Sequence, residues 1–336
     1  MEQIPPSSRM MGLINSYMVS QALHVAATLG VADLLKDGPR SADDLAMTTN
    51  TQPDALYRLL RALAAIDVLD EQANRCFALT EMGECLREDA PEPVAAWAVN
   101  IGQPYVWAAG GALLHSVRSG ESGFLSVHGT DPWNYRTKHS HEAAVFDRAM
   151  AELSRRASAG VVAAYSFREF GRIVDVGGGN GALLATILKA NPHAHGVLFD
   201  QPHVIAGSAP VLAAAGVADR CECIGGSFFE AVPPGCDVYM LKSVLHDWDN
   251  EQAISILRKC RAAMPANGRL LVVERVVGPP NEQPAAKLAD LNMLVMLGAR
   301  ERTQQEFAEL FDAANFTIAR VVSASLGYCI IEGTPS

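Results

Sequence analysis

Positive charge is scarce in this chain. Its 336 residues hold 27 Lys and Arg against 37 Asp and Glu, a formal net charge of -10. That balance argues against nucleic acid or an anionic membrane surface as the main partner, because both recruit clustered cations. Paired metal-binding cysteines are lacking too. The seven cysteines are odd in number and scattered, and only Cys221 and Cys223 are neighbours. No second pair accompanies them, so no metal site is expected, and reduced thiols in a cytoplasmic protein are the simplest reading. The N-terminus has no basic-then-apolar signal pattern. There is no internal repeat and no low-complexity segment. Residues 94–117 contain no Lys, Arg, Asp or Glu and are long enough to span a bilayer. Asn100, Gly102, Gln103, Pro104, Gly110 and Gly111 interrupt them, which predicts two short buried helices instead of a membrane span.

What is present is hydrophobic mass, 49% of the chain, enough for a sizeable core and two ordinary domains. Residues 172–182 read Arg-Ile-Val-Asp-Val-Gly-Gly-Gly-Asn-Gly-Ala. The β-branched run predicts a buried strand, and Leu183, Leu184, Ile187 and Leu188 follow at helical spacing. A glycine turn between strand and helix lets a ligand lie against bare backbone. A second strand, residues 195–200, ends in Asp200. A carboxylate there, about 20 residues after the glycines, can accept hydrogen bonds from ribose hydroxyls. Capping of a helix at Pro202 is the competing role. Together these features point to an adenosine-containing ligand, either a nicotinamide cofactor or S-adenosylmethionine.

Upstream, residues 9–29 read as a helix with apolar residues on more than one face, suited to a partner chain or to core packing. Ser41 is placed to cap a helix with Asp43 and Asp44 in its first turn. A second helix restarts at Thr51-Gln52-Pro53-Asp54 and carries Leu56, Leu59, Leu60, Leu63 and Ile66. Val68-Leu69, a polar turn over residues 70–74 and Cys76-Phe77-Ala78-Leu79 complete a hairpin. Helix, turn, helix and hairpin make a winged-helix pattern. Only Arg58 and Arg61 stand against Asp43, Asp44, Asp54 and Asp67 in residues 41–69, so association is expected of it rather than DNA binding. Residues 142–165 form a linking helix with Val145, Phe146, Ala149, Met150 and Leu153 as its stripe.

From residue 172 onward strands and helices alternate, which predicts a parallel sheet covered on both faces. Residues 316–324 and 328–332 close it with an antiparallel hairpin. Ligands bind such sheets at the carboxyl ends of the strands. The fourth strand runs out into Lys242-Ser243-Val244-Leu245-His246-Asp247-Trp248, the fifth ends at Glu274, and Glu301 precedes a helix. One histidine and two carboxylates on one rim suit proton abstraction near neutral pH. The alternative pairs Glu274 with Arg275 and Glu301 with Arg300.

The motifs Val174-Asp175-Val176-Gly177-Gly178-Gly179-Asn180-Gly181, Phe199-Asp200-Gln201-Pro202-His203-Val204-Ile205, Gly225-Gly226-Ser227-Phe228-Phe229, the 241–248 stretch and Glu301-Arg302-Thr303-Gln304 occur in order, with His128-Gly129-Thr130-Asp131-Pro132 upstream. Through them the chain resembles the class I S-adenosylmethionine-dependent O-methyltransferases of the caffeic acid O-methyltransferase family, which includes bacterial enzymes acting on aromatic secondary metabolites. The resemblance implies an α/β, doubly wound Rossmann-like sheet over residues 161–336. It implies a helical winged-helix dimerisation domain and linker over residues 1–160, and hence a homodimer. It implies S-adenosylmethionine as cofactor, with Gly177 under the methionine part, Asp200 on the ribose, Ser227 and Phe228 at the adenine, and Lys242 and Ser154 near the polar tail. Many relatives carry Asp where this chain has Ser227. His246 would be the general base, oriented by Glu274 and Glu301. Phe146, Met150 and Met293 would line the pocket of a small aromatic acceptor. Three other readings compete: an enzyme of the same fold with hydroxylase or decarboxylase chemistry, a nicotinamide oxidoreductase, and a winged-helix DNA-binding regulator.

Overall fold

The computed structural model describes residues 5–336. The chain forms two compact units. The first comprises the chain through Ala108 together with Trp133–Leu153, and the second comprises Ala109–Pro132 and Ser154–Ser336. The long helix Ser140–Ala164 therefore belongs to the first unit through Leu153 and to the second from Ser154.

In the first unit the expected single helix over residues 9–29 is two, Pro6–Asn15 and Tyr17–Thr28. They divide at Ser16, whose hydroxyl and amide both turn back to the Leu13 carbonyl. Met10, Met11, Leu13, Ile14, Tyr17 and Met18 are each more than half exposed. Ser41 caps the helix Ala42–Thr49 by accepting from the Asp44 amide, and Gln52 caps Pro53–Ala64. Leu45, Leu56, Leu60, Leu63 and Phe77 are buried between these helices and a three-stranded sheet of β1 (Arg40–Ser41), β2 (Leu69–Gln72) and β3 (Cys76–Leu79), with β3 in the middle. The hairpin turn lies at Ala73–Arg75, not over residues 70–74. The main chain of Asp70–Gln72 stays in ladder register with β3, and the reversal occurs where Asn74 and Arg75 take positive φ. Ile66 falls beyond the helix and is exposed.

Residues 94–117 form three helices, Ala95–Ile101, Pro104–Gly111 and Leu113–Ser119, one more than expected. Leu114 and Val117 are exposed rather than buried. No helix among the described residues is long and apolar enough to cross a membrane.

The second unit is a twisted sheet in the order β10-β11-β8-β7-β4-β5-β6: Phe316–Ser323, Tyr328–Pro335, Arg269–Val277, Val238–Lys242, Arg172–Val176, His195–Asp200 and Cys221–Gly225. The two-residue β9 (Arg302–Thr303) pairs with the end of β8. β4 to β8 are parallel, and β10 and β11 form the expected antiparallel hairpin. Alternate residues of β4 and β7 feed two cores. Val174, Val176, Tyr239 and Leu241 pack with Ile256, Leu257, Phe307 and Phe311 on one face. Ile173, Val238 and Met240 pack with Leu183, Leu184, Ile187 and Leu188 on the other. A strand buried on both faces needs an apolar run, which is what β4 and β7 have between their charged ends, Arg172 and Lys242, apart from Asp175. Strand order reverses between β4 and β7, and the carboxyl ends of these two strands define the crevice.

Tyr239, fully buried on β7, donates its hydroxyl to the carbonyls of Pro233 (2.7 Å) and Ala263 (2.8 Å). Tyr239→Phe should destabilise the fold by about 1–2 kcal/mol by removing this buried donor from the two carbonyls, of which Ala263 keeps the Gly235 amide. Thermal denaturation checks this, and an unchanged melting temperature would contradict it.

Candidate functional site

The site grows from the exit of β7. Ser243 takes a left-handed conformation, φ 54°, unusual for a side-chain-bearing residue, and its amide bonds Val273 on β8. The chain then turns over the end of Glu274. This carboxylate is fully buried, and its Oε1 accepts the amides of Val244 (2.9 Å), Leu245 (2.9 Å) and His246 (3.4 Å). His246 follows in a single 3-10 turn, Leu245–Asp247. Its Nδ1 lies 3.3 Å from Glu301 Oε1 and 3.6 Å from Glu274 Oε2, and its Nε2 lies 3.4 Å from Asp247 Oδ1. Burial disfavours a charged imidazole, but the charges of Glu274, Asp247 and Glu301, with the Glu301 hydrogen bond, outweigh it and raise the pKa to about 10. Arg275, the alternative partner of Glu274, lies over the Tyr328 ring at 5.1 Å instead. The three residues 300–302 back this loop: the Arg300 amide donates to the His246 carbonyl, Glu301 meets the ring, and Arg302 donates to the Leu245 and Trp248 carbonyls.

The glycine turn lies at the end of neighbouring β4. Gly177 sits at φ 72°, and a methyl group on it would stand 2.8 Å from Val244 and 3.6 Å from Phe228. Asp200, at the end of β5, accepts the Gly179 amide on Oδ2 (2.9 Å) and the Gln201 amide on Oδ1 (2.6 Å). It ties the two strand ends together and does not cap the helix at Pro202, which has no side-chain cap. Ser227 turns the chain beyond β6 by accepting the Phe229 amide. The Phe228 ring meets Phe229 and Trp248 edge to face. Lys242 ends β7 with its ammonium 5.9 Å from the centre of the Tyr328 ring. Beneath the turn Asp175 is buried, and its Oδ1 has no hydrogen-bond partner. Burial pushes its pKa up to about 7 against the pull of Lys242.

The other expected residues lie elsewhere. Ser154 is half-buried on the long helix, with its carbonyl accepting from Ser158. Phe146 and Met150 belong to the first unit and Met293 to the second. One face of the Phe146 ring is covered by the Arg136 guanidinium at 3.4 Å, and Trp133 meets the ring edge-on. Met293 is buried on the helix Pro284–Leu297.

Residues 111–317 match the model of the O-methyltransferase domain, and residues 11–89 that of the O-methyltransferase dimerisation domain. The chain belongs to the O-methyltransferase family. It is 43% identical over 333 residues to the phenazine O-methyltransferase PhzM of Lysobacter antibioticus, covering 99% of this chain and 97% of that one. It is 39% identical to the mitomycin biosynthesis 6-O-methyltransferase of Streptomyces lavendulae, covering 92% and 88%. The crystal structure of LaPhzM superposes with a TM-score of 0.92 at 42% identity, covering 99% of this chain and all of that one. This O-methyltransferase thus has the Rossmann-like sheet and winged-helix domain that its motifs predict, and its methyl donor is S-adenosylmethionine, which the 31% identical O-methyltransferase NcsB1 of neocarzinostatin biosynthesis holds in its crystal structure.

Two residues at the methyltransferase site were not singled out from sequence. Asp175 carries a signal, a lone carboxylate inside an apolar strand. Arg302 is the centre of the Glu-Arg-Thr motif, but nothing in its spacing says that it is buried.

The glycine turn tolerates no side chain at its middle position. A methyl group on Gly178 would come within 2.5 Å of Leu198 Cδ1 and 2.7 Å of Asp175 Cγ. Gly178→Ala should therefore weaken S-adenosylmethionine binding at least about tenfold, a cost of some 1.4 kcal/mol. Calorimetric titration measures it, and an unchanged dissociation constant would show that the turn does not carry the cofactor.

Proposed function

We propose that this enzyme moves the methyl group of S-adenosylmethionine to a hydroxyl of a small aromatic metabolite, with His246 as general base. The observation that carries this reading is the cluster of half-buried His246 with the buried Glu274 and Glu301 at the carboxyl end of the sheet. The names of the relatives, which act on phenazine and in mitomycin biosynthesis, supply the acceptor class.

The rim suits the donor. The positive φ of Gly177 and the open space over Gly179 leave backbone free for the methionine part. Asp200 keeps lone pairs for ribose hydroxyls beyond its two amide bonds. Ser227 and Phe228 border the adenine position, and Lys242 and Ser154 face its polar tail. When bound, the sulfonium supplies an already activated methyl group. The protein has only to align the acceptor and take its proton. Alignment is worth up to about 7–11 kcal/mol, and a positioned base adds on the order of 10²–10⁴-fold in rate. Met293 offers an apolar side chain to a planar ring.

Glu301 accepts from Nδ1–H and so leaves Nε2 to receive the acceptor's proton. A pKa of about 10 lies beside that of a phenol, also about 10, so the proton exchange between them is nearly balanced. The fold favours the charged ring. Its contribution to stability is complete below the unfolded pKa of 6.5 and is lost as pH rises through about 10. Catalysis needs the His246 and acceptor pair to have lost one proton, so kcat/KM should climb with pH well above 6.5.

The winged-helix domain serves association. The exposed apolar face of Met10, Leu13, Ile14 and Tyr17 lies at the start of the part that matches the dimerisation domain. We assign it to a homodimer interface, with the N-terminal domain as the dimerisation domain and the sheet domain as the catalytic one.

Three measurements test these assignments. His246→Ala should leave the cofactor dissociation constant within about twofold and lower turnover on the order of 10²–10⁴-fold; turnover near wild type removes the base. The pH profile of kcat/KM should rise across neutrality and into the alkaline range, whereas a plateau reached below pH 7 contradicts the matched proton exchange. Leu13→Glu with Ile14→Glu should shift the light-scattering mass from two chains to one, and a wild-type monomer refutes the interface.

A further inference from the structure

Arg302 is the largest of the fully buried side chains in the molecule. A buried guanidinium is costly unless its donors are taken up, and burial pulls its pKa below the usual value while Glu274 holds it charged. Its donors have specific acceptors. Nη1 bonds the Leu245 carbonyl (2.7 Å), and Nη2 bonds the Trp248 carbonyl (2.7 Å) and Asn250 Oδ1 (2.9 Å). Nε bonds Asn250 Oδ1 as well (3.1 Å). The two carbonyls flank His246 on either side. Glu274 holds the same loop by its amides. A buried anion thus takes the loop's N–H groups and a buried cation takes its C=O groups. Arg302 itself is fixed twice: its backbone pairs with Val276 on β8, the strand that carries Glu274, and the following Thr303 caps the helix Gln304–Ala313 with a capping box.

We propose that Arg302 is the positioning residue of this enzyme, a clamp that holds the 245–248 loop so that the His246 ring stays against Glu301 and presents Nε2 to the acceptor. The catalytic part of the proposal rests on His246 being the base, and the positioning part does not. Lysine offers donors from one nitrogen and cannot bridge two carbonyls and an amide in one plane. Loosening by about 1 Å is enough to cost on the order of 10²-fold in rate.

The test is a double-mutant cycle on the full-length enzyme with S-adenosylmethionine and a turned-over phenolic acceptor, read together with the His246 imidazole pKa by NMR of the histidine-labelled protein. Arg302→Lys should lower kcat about 10²-fold, leave the cofactor dissociation constant within about twofold, and bring the His246 pKa down toward 6.5. In a His246→Ala background the same change should alter the residual turnover by less than about threefold, because the residue it positions is gone. An equal loss in both backgrounds, or an unmoved His246 pKa, overturns the clamp. Should His246→Ala alone stay fully active while Arg302→Lys lowers the His246 pKa, the base reading fails and the positioning stands. If Arg302→Lys does not fold, Asn250→Ala carries the test: it removes one anchor of the guanidinium and should give the same pattern at smaller amplitude, and its absence overturns the proposal.

Discussion

The burial of Glu274 is the constraint on which the site depends. A carboxylate enclosed within a β-strand must find hydrogen-bond donors. Here one oxygen takes three successive amides of the chain leaving β7. That demand forces the chain to turn immediately. Ser243 therefore stands in a left-handed conformation, and strain of about 1–3 kcal/mol of this kind persists only where the surroundings over-determine it. The turn in its place puts His246 between two buried carboxylates.

The same loop has to be held on its carbonyl side, and Arg302 does this. Opposite buried charges on β8 and β9 grip one stretch, Val244 to Trp248, from its two polar faces. Neither charge is solvated, so each bond is worth more than its surface counterpart, and removing either partner leaves the other exposed to a low-dielectric interior. The His246 ring is consequently held in place, and the carboxylates around it favour its charged form.

At the neighbouring strand end, the glycine turn is built with bare backbone. Gly177 and Gly178 bring the turn against Val244, Leu198 and Asp175, and Asp200 locks the turn to the end of β5. Gly177 would touch Val244 if it bore a methyl group, and Val244 is the first residue gripped by Glu274. The glycine turn and the loop that carries His246 are therefore packed against each other.

The sheet was legible in the chain because its strands alternate with helices and because an enclosed strand must be continuously apolar; β8 runs on past Glu274, the end expected of it, to Val277, because Val276 and Val277 pair with β9. Ser41 and the Thr51-Gln52-Pro53-Asp54 start were legible because capping is local chemistry. The break at Ser16 and the hairpin turn at Asn74 and Arg75 were not, since backbone bonds and ladder register decided them against an uninterrupted apolar pattern and a polar run. The residue types, their order and their motifs determined the family, the donor and the candidates His246, Glu274 and Glu301. Tertiary structure alone decided that Glu301 meets the imidazole while Glu274 mainly anchors the backbone, that Arg136 covers a face of Phe146, and that Arg302 is a buried clamp. Those choices depend on which charges lose their water, and burial is a property of the packed chain that no spacing along the sequence contains.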